Sequence, residues 1–167
     1  MDARSESEPV KNVTTTERKS DRELVVTRTV NGPARIIFEA WTTPELLKRW
    51  WAPKSFGIAF ISCEADVRVG GTYRFVFGHP ASEQPMAFFG KYIEVTPHSR
   101  LAWTNEESAE GAVTTVTFEE KGGKTRVVVH DLYPSKEALD GAIASGSTCG
   151  MGETFEQLDE LLVALGV

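Results

Sequence analysis

Two acidic residues on a predicted strand are the first candidates for chemistry. Glu64 and Asp66 are two positions apart, so in an extended strand their side chains share one face of the sheet with Arg68. If this face is turned inward, a carboxylate there would act as a base or orient a ligand, with the guanidinium as its partner. Asp66 and Arg68 also fit a structural role, as a salt bridge that fixes a hairpin, and the sequence favours this second interpretation.

A third carboxylate, Asp131, lies near the end of the last predicted strand. It would bind a polar group of a ligand if it faces inward, or water if it sits at an open strand end, and the sequence leaves both readings open. No Gly-x-Ser-x-Gly elbow, Walker loop or dinucleotide fingerprint is present in the sequence. We therefore predict no catalytic residue and no cofactor, and it stays open whether the protein is an enzyme.

The three histidines show no metal-ligand spacing. His79 precedes a proline and His98 follows one, so both are predicted to lie in surface turns, whereas His130 falls within a strand. No Cys/His/Asp/Glu cluster indicates zinc, and we predict no metal. Neither Cys63 nor Cys149 belongs to a pairing motif, and both are interpreted as reduced packing residues.

Aromatic side chains are the strongest indication of a binding site. The chain has four Trp, three Tyr and nine Phe, and rings from distant segments are predicted to meet between a sheet and a helix. A small-molecule pocket is mostly apolar with a few placed polar groups. The alternative is that the rings are ordinary core. The predicted lining is Trp41, Trp50, Phe56, Phe75, Phe77, Phe89, Trp103, Asp131, Tyr133, Met151 and Phe155, with Trp51 as a further candidate.

The elements that position these rings follow from the hydrophobic pattern. Residues 24–30 are β-branched and predict a strand, and Pro33 and Pro44 each mark the first turn of a short helix. Residues 56–69, 72–78, 86–95, 100–104, 113–119 and 125–133 are predicted strands. Their short connections indicate antiparallel neighbours.

The C-terminal segment, residues 135–165, predicts a helix with a break near Ser145-Gly146. In its second half one apolar stripe is formed by Met151, Phe155, Leu158, Leu162 and Leu165, with Leu161 beside it. The stripe must be buried against the sheet. The fold class is therefore α+β: a curved antiparallel sheet of about six to seven strands around a long C-terminal helix, with two short helices between the first two strands.

Composition divides the chain and excludes several partners. Residues 1–22 are polar and predict a disordered arm, with pairing on a sheet edge as the alternative, while residues 23–167 form one domain. The net charge of −6 argues against nucleic acid and anionic membranes as partners. With no apolar run of bilayer length and no secretory signal, we predict a cytoplasmic location. The sequence does not decide whether the protein is a homodimer.

Five segments together resemble the family called activator of heat-shock-protein-ninety ATPase homologue-like, within the START-like, or polyketide cyclase (SRPBCC), superfamily. They are FEAWTTPELLKRWW at 38–51, DVRVGGTYRF at 66–75, GKYIEVTPHSRL at 90–101, YPSKE at 133–137 and GMGETFEQL at 150–158. The resemblance covers about residues 24–165 and implies a helix-grip fold.

What the resemblance implies for function is broader, because relatives include lipid carriers, hormone receptors and aromatic cyclases. Our leading hypothesis is that the cavity between sheet and helix binds a small hydrophobic or aromatic molecule. One alternative is a cyclase- or hydrolase-like enzyme that uses an inward acid such as Glu64 or Asp131. The other is an interaction module that stimulates a chaperone ATPase, a partner that the sequence itself does not support.

Overall fold

The computed structural model describes residues 13–145 and 150–167 of the chain. The strands in this part are β1 (Thr15–Arg18), β2 (Glu23–Asn31), β3 (Ala59–Ala65), β4 (Thr72–His79), β5 (Ser82–Thr96), β6 (Arg100–Thr104), β7 (Val113–Lys121) and β8 (Lys124–Leu132). The helices are α1 (Ala34–Thr42), α2 (Pro44–Trp50), α3 (Lys136–Ala144) and α4 (Met151–Ala164), with a 3₁₀ turn at Lys54–Phe56. The predicted α+β class is confirmed.

The strands form one antiparallel sheet in the order β1-β2-β8-β7-β6-β5-β4-β3. β5 joins its two halves, because its first part pairs with β4 and its last part pairs with β6. At Gly90, near the end of the part paired with β4, a Cβ atom would lie 2.0 Å from the carbonyl oxygen of Thr104. Only glycine permits this approach. The register also shifts between Tyr92 and Glu94, an irregularity that increases local twist.

One face of the curved sheet carries the core. Val116 on β7 pairs with Val129 on β8, and Phe118 pairs with Val127, so their side chains share a face. These residues belong to one buried cluster with α1, α2 and α4. The two short helices lie between β2 and β3, as predicted, and bring Trp41 and its neighbours against the sheet.

The apolar stripe of α4 is confirmed for most of its members. Phe155, Leu158 and Leu162 are buried, as is Leu161 beside them, which is the face that a helix packed on a sheet must bury. The prediction is wrong for Leu165. The helix ends at Ala164, and Leu165, which caps its C-terminus, is 42% exposed.

The predicted break in the C-terminal helical region is confirmed. α3 ends at Ala144 and α4 begins at Met151. Ser135 caps the start of α3 by accepting a hydrogen bond from the backbone N–H of Ala138 at 3.0 Å. Cys149 lies outside the described residues.

The prediction of a disordered arm over residues 1–22 is wrong for Thr15–Arg18, which form β1 and pair with β2. The edge pairing left open as the alternative is the one found, and it raises the strand number above the predicted six to seven. A short, exposed edge strand needs no apolar side chains, because its neighbour supplies the backbone hydrogen bonds. Residues 1–12 lie outside the described part.

Candidate ligand-binding site

Aromatic side chains on the inner face of the sheet enclose a pocket of about 90 Å³, which we call the inner pocket. Alternation places Tyr73 and Phe75 on one face of β4, and the register pairs Phe75 with Phe88 of β5. The opposite wall comes from α1 and from the turn that follows α2. The lining residues are Trp41, Trp51, Tyr73, Phe75, Phe88, Tyr92, Trp103 and Asn105.

The rings around the inner pocket meet mostly edge to face, as aromatic quadrupoles prefer. The ring centroids of Trp41 and Trp51 are 5.4 Å apart at an interplanar angle of 80°, and those of Trp51 and Phe75 are 6.0 Å apart at 72°. The indole nitrogen of Trp41 is buried and has no hydrogen-bond partner among the described residues. The indole N–H of Trp41 is thus a donor among these rings that is unpaired within the described part of the chain.

Two phenols bring polar atoms into this apolar wall. Burial raises the pKa of both Tyr73 and Tyr92 well above the usual tyrosine range, so both hydroxyls stay protonated. Tyr73 donates to the carbonyl oxygen of Thr104 at 2.8 Å, and its oxygen lies 3.2 Å from Oδ1 of Asn105. The pocket thus has a polar edge on the side of the residues that follow β6.

Beside the inner pocket lies an apolar cleft of about 500 Å³. Phe77 forms its base on β4, Phe56 and Met86 stand at its rim, and Met151 closes it at the start of α4. The lining is Trp51, Ala52, Pro53, Phe56, Ile58, Phe77, Met86, Phe88, Gly150, Met151 and Thr154. Met151 and Thr154 of α4 line this cleft, whereas no residue of α4 lines the inner pocket.

On the other side lies a polar cleft of about 580 Å³. It runs between the acidic loop after β6, the end of β8 and α3. Trp51 and Phe88 line the inner pocket and both clefts, and Asn105 lines the inner pocket and the polar cleft. The polar cleft is lined by Trp51, Phe88, Asn105, Glu107, Ser108, Glu110, Gly111, Ala112, Thr114, Asp131, Tyr133, Ala138, Gly141, Ala142 and Ser145.

A chain of hydrogen bonds connects the inner pocket to the polar cleft. The Nδ2 group of Asn105 lies 3.0 Å from the hydroxyl oxygen of Thr114, and that hydroxyl donates to Oδ1 of Asp131 at 2.6 Å. Asn105 also reaches Tyr73 through its Oδ1. Asp131 is opposite Thr114 in the β7–β8 register, so both side chains face inward. A carboxylate is thereby coupled to a tyrosine hydroxyl through two side chains.

Burial raises the pKa of Asp131 above its ordinary value, against the opposing effects of the Thr114 hydrogen bond and of His130. Burial and the nearby Asp131 carboxylate also raise the pKa of Tyr133 to about 12. Alternation along β8 places Asp131 on the same face as the buried Val127 and Val129, so its side chain points inward and is partly exposed.

The loop that carries Trp51 and Phe56 is held by α4. The side chain of Gln157 donates to the carbonyl oxygens of Trp50 and Ala52 at 2.8 and 2.9 Å, and accepts from the backbone N–H of Lys54 at 2.9 Å. These bonds satisfy carbonyl groups that the end of α2 leaves open. The carboxylate of Glu153 accepts hydrogen bonds from the backbone N–H and the hydroxyl of Ser55 in the same loop.

The structure brings most of the predicted lining residues to these three spaces. Trp41, Phe75 and Trp103 line the inner pocket. Phe56, Phe77 and Met151 line the apolar cleft, and Asp131 and Tyr133 line the polar cleft. Trp50 and Phe155, also predicted as lining, line none of these three spaces, because both are fully buried in the core, where Trp50 donates to the carbonyl oxygen of Ala40 at 2.9 Å.

Two candidates lie on the other face of the sheet. Phe89 is paired with Arg74, and Glu64 is paired with the same arginine from the other side, so neither side chain faces the pocket. The expectation that Phe89 lines the cavity, and that Glu64 is an inward acid, is therefore wrong. Strand alternation is the reason, because their neighbours Phe88 and Cys63 take the inner face. Cys63 is buried, and burial raises the pKa of its thiol to about 11.

The structural interpretation of Asp66 and Arg68 is confirmed. Nε of Arg68 donates to Oδ2 of Asp66 at 2.9 Å, on an exposed turn. His79 is the last residue of β4 and accepts a hydrogen bond from the N–H of Ala81, and His98 has a positive φ of 69° in the turn between β5 and β6. Within residues 13–145 and 150–167, no group of three or more His, Cys, Asp or Glu side chains could hold a metal ion.

Several lining residues escaped the sequence prediction. Phe88 and Tyr92 were missed because the register with β4 decides which residues of β5 face inward, and the sequence does not show that register. Asn105 was missed because it lies in a loop. Tyr73 had a usable signal, since it alternates with Phe75 and Phe77 on one strand.

A curved antiparallel sheet packed on a C-terminal helix, with two short helices after the first long strand, defines the protein as a helix-grip domain. The sequence profile of the family described as activator of Hsp90 ATPase homolog 1-like protein matches residues 31–163. The chain belongs to this family. No curated protein sequence matches the chain at a significant level. No helix in the described part of the chain is long and apolar enough to span a membrane.

Solved structures share the fold across most of the chain. A protein from Rhodobacter sphaeroides superposes with a TM-score of 0.83 at 24% identity, covering 91% of this chain and 99% of that chain. One from Nitrosomonas europaea has a TM-score of 0.80 at 24% identity, covering 89% and 99%. An AHSA1-like protein from Aeromonas hydrophila has a TM-score of 0.66 at 16% identity, covering 82% and 93%. At these identities the likeness shows the fold alone.

Proposed function

We propose that the protein binds a small hydrophobic or aromatic molecule on the inner face of its sheet. The observation that carries the proposal is the position of Trp51 and Phe88, which line the inner pocket and both clefts. The three spaces therefore adjoin across two aromatic side chains. Such a surface provides apolar contact on one side and hydrogen-bonding groups on the other, the usual composition of a ligand site.

The volumes indicate how the ligand would lie. The inner pocket, at about 90 Å³, is smaller than the roughly 150 Å³ apolar cavity that accepts a benzene ring. The apolar cleft, at about 500 Å³, falls within the ~300–1,000 Å³ range of small-molecule sites. The body of the ligand would lie in the apolar cleft, and its tip would reach between Trp51 and Phe88.

Filling the apolar cleft tests this proposal. An environment-sensitive apolar dye should bind the parent protein with a micromolar dissociation constant, about −8 kcal/mol. Met151→Phe adds volume at the closing wall and should weaken dye binding by about tenfold or more. Val163→Phe is the control on the same helix, where the side chain is 76% exposed, and should leave the affinity unchanged. Dye affinity that is equal in both variants would place the site elsewhere.

An enzyme in the same site is the second candidate, and the hydrogen-bond chain from Asp131 to Tyr73 is the observation that favours it. An inward carboxylate coupled to a phenol is an arrangement that could move a proton. A hydrolase of this kind should cleave chromogenic aryl esters, and Asp131→Asn should abolish that cleavage while leaving dye affinity intact. Equal cleavage by both proteins would exclude a role for Asp131 in such a reaction.

The chaperone-stimulating alternative needs an apolar face that docks a protein. The partly exposed rings of Phe56 and Phe88 line the apolar cleft together with the buried Phe77. Their place in the lining of a cleft supports a small-molecule ligand over a protein partner.

A further inference from the structure

The polar cleft carries charge of one sign. Its lining includes the carboxylates of Asp131, Glu107 and Glu110, and no Lys or Arg side chain lines it among the described residues. A ligand that projects a polar group into this cleft therefore meets negative charge. The negative charge of the polar cleft therefore restricts the ligands that can bind to the adjoining apolar surface.

Most of the donors near the cleft are already used within the protein. Asn105 donates through Nδ2 to the carbonyl oxygen of Ala112 at 2.6 Å and lies 3.0 Å from the Thr114 hydroxyl. The Thr114 hydroxyl in turn donates to Asp131, and the Tyr73 hydroxyl to Thr104. Acceptor oxygens therefore predominate in the lining, and the hydroxyls of Tyr133 and Ser108 remain as donors.

Asp131 is the acceptor best placed to bind a ligand. Within the described part of the chain only Thr114 donates to it, at Oδ1, so the second oxygen, Oδ2, has no hydrogen-bond donor. Removing a carboxylate from water without a full set of donors is costly, which agrees with the raised pKa of this partly buried group. A cationic donor placed at Oδ2 would offset that cost, because charge-assisted hydrogen bonds are the strong ones.

We infer that the ligand is an apolar molecule carrying a protonated amine, and that Asp131 binds the ammonium group while the apolar body lies against Trp51 and Phe88. The inference rests on the proposed function, since it concerns the polar end of the same site. An ammonium group has three donors and matches the acceptor oxygens left in the cleft. A ligand carboxylate would face Asp131 and the two glutamates and be rejected by like charge.

Three probes of the same apolar body separate this inference from its alternatives: phenylbutylamine, phenylbutanol and phenylbutyrate. Calorimetry at neutral pH should show the amine binding about tenfold or more tightly than the carboxylate, with the alcohol between them. Asp131→Asn keeps an oxygen that accepts from Thr114 but removes the charge. This variant should therefore bind the amine no more tightly than it binds the alcohol. Asp66→Asn, which alters an exposed carboxylate on a distant turn, should leave the affinities for all three probes unchanged.

The outcomes distinguish the two proposals. Equal affinity for all three probes, or tightest binding of the carboxylate, would overturn the amine inference and leave ligand binding itself intact. If none of the three probes binds to a protein that does bind the dye, the amine inference is overturned as well. Loss of both the probes and the dye would overturn the proposed function. A double variant, Glu107→Gln with Glu110→Gln, should reduce the amine preference less than Asp131→Asn does, because neither glutamate belongs to the buried hydrogen-bond chain.

Discussion

Arg28 on β2 and Asp159 on α4 form an ion pair that joins the sheet to the C-terminal helix, with Nη2 and Oδ2 2.5 Å apart. The Arg28 side chain is 4% exposed, and its Nη1 donates to the Thr14 hydroxyl at 2.9 Å. Nε of Arg28 and Oδ1 of Asp159 are buried without a hydrogen-bond partner in the described part of the chain. Burial outweighs the guanidinium and raises the pKa of Asp159.

Breaking this pair from one side should cost more stability than replacing it. Arg28→Met leaves the Asp159 carboxylate without its partner, and the free energy of unfolding should fall by about 2–4 kcal/mol. Arg28→Met combined with Asp159→Leu should recover most of that loss, since apolar residues can substitute for a buried pair. Urea denaturation of the single and double variants checks this. A double variant that is less stable than Arg28→Met would contradict it.

The N-terminal strand should contribute measurable stability. Deleting residues 1–18 removes β1, the Thr14 hydroxyl that Arg28 binds, and the salt bridge from Arg18 to Asp140 at 2.7 Å. We expect a loss of about 1–2 kcal/mol, which lowers the melting temperature of a domain of this size by roughly 2–8 °C. Deleting residues 1–12 is the control, for which the polar sequence predicts no change. Identical melting temperatures for the two truncations would show that β1 is dispensable.

Gln157 should matter both for folding and for the site. Gln157→Leu would leave the carbonyl oxygens of Trp50 and Ala52 and the N–H of Lys54 without a side-chain partner, and such losses cost about 1–3 kcal/mol. Dye affinity should fall too, because the loop carrying Trp51 loses its anchor. Glu156→Leu changes the adjacent, exposed position and serves as the control. Unchanged stability in Gln157→Leu would mean that water replaces all three bonds.

The sequence predicted the fold well because its signals are local. Helix starts at Pro33 and Pro44, hairpin glycines and the stripe on α4 each follow from residues close together in the chain. β1 was predicted only as an alternative, because its hydrogen bonds come from a neighbouring strand, which no pattern within 1–22 reveals.

The site was less predictable, because it depends on pairing between distant strands. Phe75 and Phe77 follow from alternation within β4. Phe88 and Phe89 are adjacent, and only the register with β4 decides which one faces inward. Asn105 belongs to a loop, and its contact with Tyr73 joins residues 32 positions apart in the sequence.

Asp131→Asn should make the protein more stable at neutral pH. Burial raises the pKa of Asp131 above its ordinary value of 3.8, so the folded state favours the protonated form. The stability that this group contributes is present below pH 3.8 and is lost as the pH rises through the folded pKa. Asparagine still accepts from Thr114 and carries no charge, so its advantage should be largest at pH 7 and shrink toward pH 4.

The measurement for this prediction is chemical denaturation of both proteins at several pH values. The nearby Glu23–His130 pair, 2.7 Å apart, is present in both proteins. Tyr133, on the residues after β8, also faces Asp131, but its hydroxyl stays protonated over this range. A difference in stability that does not vary with pH would contradict the assignment.

The central claim is that a ligand binds on the inner face of the sheet, and Phe88 and Phe89 provide the most direct test. They are adjacent on β5 and similarly exposed, at 38% and 40%, yet only Phe88 lines the inner pocket and its clefts. The measurement is the affinity of an environment-sensitive apolar dye for Phe88→Ala and Phe89→Ala. The account predicts about a tenfold loss or more for Phe88→Ala and parent affinity for Phe89→Ala. Equal affinities in the two variants, or a loss confined to Phe89→Ala, would contradict it.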